Sequence, residues 1–158
     1  MHDTNRSENY LTHHLTTNDP LFFEHQPLLS LATIHRHPGT VKALLSSGIL
    51  PNNEDYNRRF DIVEAANLGD LQTLKRLWSA GALVSSIKVR ARTGLQSACE
   101  HGHTRCVEFL LHVGASAKIG SGTRDSPLCL AITHAQRTGQ DVREMLELLI
   151  PQSDLDSD

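Results

Sequence analysis

The chain has 158 residues and a net charge of −3, which bounds it to one domain-sized unit and argues against general affinity for nucleic acid or an anionic membrane. No apolar run approaches the roughly 20 residues that span a bilayer. The polar start, Met1-His2-Asp3-Thr4-Asn5, has no apolar signal core. Three cysteines make an odd set without a framework of pairs, which predicts a reducing, intracellular setting, cytoplasm or nucleus. Aromatics are only 4% of the chain, few for a single globular core but enough for helices stacked through small residues.

In chain order, residues 1–26 are polar and His-rich. Leu21-Phe22-Phe23 is their most apolar point, and it is expected to cover the open end of the first repeating unit. The first unit is expected over 27–59. It has a helix opening at Pro27-Leu28-Leu29, Pro38 in the first turn of a second helix, and a buried stripe of Val41, Leu44 and Leu45. The second, 60–92, buries Ile62, Ala65 and Ala66. It turns at Gly69-Asp70 with Asp70 as cap, and then lines a second helix with Leu71, Leu74, Leu77 and Trp78. In the third, 93–125, Leu95, Ala98, Cys99, Val107, Leu110 and Leu111 fall at helical spacing. Gly102 breaks the first helix of that unit, and Gly114 stands where a left-handed terminal residue is wanted. The fourth, 126–151, starts at Ser126-Pro127-Leu128 but resumes its stripe late, at Met145, Leu148 and Leu149. This predicts a longer first helix or wider turn around Ala135 to Gln140, with Asp141 capping the last helix and Pro151 stopping it. Residues 152–158 form an acidic tail.

These units superpose at a spacing of 33 residues. Leu29, Ile62, Leu95 and Leu128 form one ladder, and Ala32, Ala65, Ala98 and Ala131 a second. Gly48, Gly81 and Gly114 form a third, and Leu44-Leu45, Leu77-Trp78 and Leu110-Leu111 a fourth. A fixed period of this size marks a stacked repeat. Period and pattern together resemble the ankyrin repeat. Thr93-Gly94-Leu95-Gln96 and Ser126-Pro127-Leu128-Cys129 stand where that family has Thr-Pro-Leu-His, and Gly102-His103 and Gly114-Ala115 match its Gly-His and Gly-Ala. Arg36 departs from the pattern, taking the place of the later glycines. The resemblance implies an all-α solenoid of four helix-turn-helix units, the fourth with an insertion, with finger loops between them. It also implies non-catalytic protein binding, without cofactor or small-molecule substrate, in an adaptor, an inhibitor or a pathogen effector working inside a host cell.

Three sets of residues carry possible chemistry. Cys99, His101, His103 and Cys106 look like zinc ligands, and an enzyme or metal protein built on them is one alternative. The repeat frame favours packing instead, because Cys99 aligns with Ala66 and Thr33 at a small buried position. His13-His14 and His35-Arg36-His37 lack the nucleophile or acid that would make a general base useful.

Lys88-Val89-Arg90-Ala91-Arg92 alternates cations at the period of an extended strand. With Arg58 and Arg59 of the preceding finger it predicts a basic patch for carboxylates on a partner protein. A nucleic-acid binder using the same fingers is a further alternative, against which the net charge argues. By resemblance, the residues just before each inter-helix turn also face the partner: His35 and Arg36, Asn67 and Leu68, Glu100 and His101, Thr133 and His134.

Overall fold

A computed structural model describes residues 28–51, 61–84, 92–120 and 123–151. The described residues hold eight helices and no strand. In chain order they are α1 (Leu28–Ile34), α2 (Pro38–Ser46), α3 (Asp61–Leu68), α4 (Leu71–Ser79), α5 (Gly94–Glu100), α6 (Thr104–His112), α7 (Pro127–Thr138) and α8 (Arg143–Leu149). They form four hairpins, stacked so that α1, α3, α5 and α7 make one row and α2, α4, α6 and α8 another. The first row packs more closely than the second. The alanine ladder explains this: Ala65, Ala98 and Ala131 are fully buried and Ala32 nearly so, and a methyl lets helix backbones approach. Leu29, Ile62, Leu74, Leu77, Leu95, Leu110, Met145 and Leu149 fill the space between the rows. The expected cap at Leu21-Phe22-Phe23, the acidic tail and most of the finger residues lie outside the described residues.

Each helix of seven to nine residues is too short to stand alone in water, so its ends matter. At the end of α6, Gly114 has φ +92°. Its N–H donates to Leu111 O, and that of Ala115 to Leu110 O. This is the paired closure that satisfies otherwise orphaned carbonyls, and it repeats at Gly48-Ile49 and Gly81-Ala82. The starts are fastened by side chains. Asp70 accepts from Thr73 N, and Ser126 from Cys129 N. Thr93 and Gln96 bond each other's backbone reciprocally. Asp141 accepts from Arg143 N at 2.9 Å, one position ahead of the N-cap Val142.

Two expectations change and a third is met. Arg36 does not alter its turn: it adopts φ +55°, the left-handed conformation that glycines adopt later. Trp78 is not part of the buried stripe. It is 44% exposed, with its indole edge-on to Phe109 of the next hairpin at 5.9 Å between centroids. The extra residues of the last unit lengthen α7 to twelve residues, ending at Gly139.

Candidate functional site

The stack leaves one edge irregular, where the first helices end and the chain turns. The last carbonyls of those helices need donors, and the neighbouring hairpin supplies them. His103 Nε2 donates to Asn67 O at 3.0 Å, and His134 Nδ1 to Glu100 O at 2.8 Å. Arg36 Nη2 donates to Leu68 O at 2.7 Å. Cationic or polar donors are favourable there, because a helix C-terminus carries partial negative charge.

Each imidazole lies flat over a glycine of the hairpin before it. A Cβ at Gly69 would come 2.6 Å from the His103 ring, and one at Gly102 2.3 Å from His134 Nε2. Arg36 escapes this restriction because the residue equivalent to His103 in the hairpin that follows it is Asp70, whose short side chain folds back onto Thr73 N. The inserted residues of α7 shift the register, so His134, inside the helix, does in the fourth hairpin what His103 does in the third. Gln140 closes over it, its side chain 3.0 Å from His134 Nε2.

These contacts sort the residues expected to face a partner. His134 is 6% exposed and is consumed by the interior bond, so it shapes the edge and does not project from it. Asn67 and Leu68 are half-buried, with their carbonyls already used. His35 and His101 are exposed, as are Arg36, apart from its bond to Leu68 O, and Thr133. Glu100 is half-buried and ion-paired to Arg92, which also approaches Asp125 at 3.6 Å. Arg92 is therefore engaged within the chain and is not part of a strand. Arg58, Arg59, Lys88 and Arg90 lie outside the described residues.

The cysteine and histidine cluster does not converge. Cys99 and Cys106 are buried, and burial pushes their thiols up to about 12 and about 11. The thiolate is the form that binds metal or attacks, so burial disfavours both roles, and the two side chains pack in the core. His101 Nδ1 donates back to Ser97 O within its own helix, while His103 reaches across to the neighbouring hairpin. Among the described residues no group of three or more His, Cys, Asp or Glu is placed to hold a metal ion, and no helix is long and apolar enough to cross a membrane.

Burial lowers the pKa of His103, and the charges of His101, Arg36 and His134 lower it further against the opposing bond to Asn67. A lowered folded-state value means that the unfolded chain binds the proton more readily below the ordinary value near 6.5. Stability from His103 is therefore complete above that value and lost as pH falls through the folded value. Urea unfolding at pH 7.5 and 5.5 should show a smaller loss on acidification in His103→Gln than in the parent chain.

Residues 62–158 match the family model for ankyrin repeats in three copies. Among solved structures, the crystal structure of the human ASB11 ankyrin repeat domain is similar, with a TM-score of 0.70 and 28% identity over 84% of this chain. The chain spans 57% of the length of that domain. Among curated protein sequences none matches.

Proposed function

Because the chain belongs to the ankyrin repeat family, we propose that it is a non-catalytic module that binds a partner protein with an acidic surface. Ankyrin repeats generally serve protein–protein interaction, and the family is generally non-catalytic. The observation that carries the proposal for this chain is the contrast along its edge. The ladders repeat, whereas Ile34, Asn67, Glu100 and Thr133 share one position and His35, Leu68 and His101 the next. A scaffold held constant by backbone closures and cross-hairpin bonds can vary those positions freely, and that variation is what selects one partner. Leu68, apolar among polar equivalents, is the proposed anchor. Asn67, Glu100 and His101 flank it, and Arg58, Arg59, Lys88 and Arg90 of the fingers steer the acidic partner electrostatically. Arg92 orients Glu100 through their ion pair. The two buried, uncoupled thiols suit a reducing compartment inside the cell.

Affinity capture with quantitative mass spectrometry tests this, run with the parent chain beside Leu68→Asp and Lys88→Glu/Arg90→Glu. A small set of proteins is expected to be lost from both variants while their circular dichroism stays helical. Identical captures from all three would refute the assignment.

A further inference from the structure

The second face of the stack carries a feature that partner binding at the turns does not use. Between α2 and α4 lies an open notch of about 270 Å³, lined by Lys42, Leu45, Ser46, Arg76, Ser79 and Ala80. Neither α2 nor α4 contains an acidic residue. Among the described residues, Lys42 and Arg76 form no ion pair, and the enclosed Arg76 Nε makes no hydrogen bond. Among the described residues no bond orients the guanidinium, so its outer donors remain for an external acceptor. Ser46 and Ser79 occupy the same position of successive hairpins and put one hydroxyl on each wall.

The next junction shows that the notch is a local feature. At the same depth between α4 and α6, Trp78 replaces Leu45 and Phe109 replaces Arg76. The two rings meet edge to face, and Lys75 sits 5.7 Å above Phe109. The space that is open and cationic in the first junction is thus closed and aromatic in the second.

We propose that this notch binds a phosphate monoester carried on a side chain of a protein partner. Two neighbouring cations match the charge of a monoester at neutral pH, which is close to −2. Arg supplies paired donors to its oxygens, and the Ser46 hydroxyl can donate to the third, whereas that of Ser79 already donates to Lys75 O. A phosphodiester has one charge and a carboxylate one, so each leaves a cation unmatched. The helix ends beside the notch oppose an anion, but their carbonyls are already occupied. Ala43 accepts from Ser47, Leu45 from Gly48 and Leu44 from Ile49, and likewise Arg76 accepts from Ala80, Trp78 from Gly81 and Leu77 from Ala82. Leu45 and Ala80 provide apolar walls for the residues that flank the phosphate.

The test is an NMR titration of the full ¹⁵N-labelled chain with a phosphoserine peptide of neutral flanks, its unphosphorylated and aspartate counterparts, inorganic phosphate and dimethyl phosphate. Saturable shifts are expected at Arg76 Nε–H and at the Ser46 and Ser79 amides. The phosphopeptide should bind about tenfold tighter than inorganic phosphate, a difference of about 1.4 kcal/mol. Lys42→Gln, an exposed change that leaves the fold alone, should weaken it severalfold, and Arg76→Gln should abolish it. Equal binding of the aspartate peptide or the diester would overturn the proposal. So would equal affinity for phosphopeptide and free phosphate, which would mark an adventitious ion only. Shifts spread equally over Arg105 and Arg143, or unchanged in Lys42→Gln, would also overturn it.

Discussion

Gly102→Val should lower the unfolding free energy by about 2–5 kcal/mol, against about 1–3 kcal/mol for Gly114→Val. Both glycines have positive φ, +74° and +92°, so a β-branched residue strains the backbone at either site. They differ in what the new carbon meets. At Gly114 nothing lies within 4 Å, whereas at Gly102 the carbon would come 2.3 Å from His134 Nε2. To admit it the imidazole must move, and then Glu100 O loses its shorter bond, keeping only the 3.4 Å one from Arg137, and Gln140 loses its contact. Equal losses at the two positions by urea denaturation would show that the imidazole does not rest on that glycine. His134→Ala combined with Gly102→Val should recover part of the difference, because the steric conflict is then gone.

Leu110→Ala should cost about 2–5 kcal/mol. The side chain is fully buried, and one of its methyls lies 3.7 Å from where a Cβ on Gly94 would stand, so it packs under the start of α5. Its backbone carbonyl also accepts from Ala115 N, but truncation leaves that bond in place. The loss is therefore packing alone. Short helices on either side hold each other by burial, so a cavity here cannot be closed by moving a single element. Leu111→Ala, half-exposed one position later, should cost clearly less. Thermal or urea midpoints that rank Leu111→Ala as the more damaging would reverse the assignment of the inner face.

The residues that repeat every 33 positions were readable because burial is shared by every hairpin, and so was the burial of Cys99, whose place in the repeat is a small core position. What escaped the pattern is what lies between hairpins. Arg92 alternates with Ala91 and Val89 in a way that suggests a free cation on a strand. No spacing rule reveals that Glu100, eight residues on, and Asp125, one repeat on, come to meet it. Trp78 shares a ladder with Leu45 and Leu111, yet that position lies at the rim of the core, and an indole is too large to sit inside it. His134 reads as an exposed edge residue because its equivalents Leu68 and His101 end their helices. The insertion extends α7 past it, and His134 turns into the interface.

Arg36 is instructive in the opposite direction. The missing glycine is tolerated because the following hairpin has Asp70 where an imidazole would otherwise press. The reciprocal bonds of Thr93 and Gln96 follow a Thr-x-x-Gln spacing ahead of an apolar run, which is a start signal. The additional bond from Gln96 Nε2 to Asp125 O at 2.6 Å was not. The basic fingers and the expected terminal cap lie outside the described residues.

The account rests on hairpins that lock one another through imidazoles laid over glycines, leaving the turn edge free to vary for a partner. Nuclear Overhauser contacts between ring and glycine protons test this most directly. Cross-peaks are expected from His103 to Gly69 and from His134 to Gly102, both across hairpins. Rings that contact only protons of their own hairpin would contradict the stack.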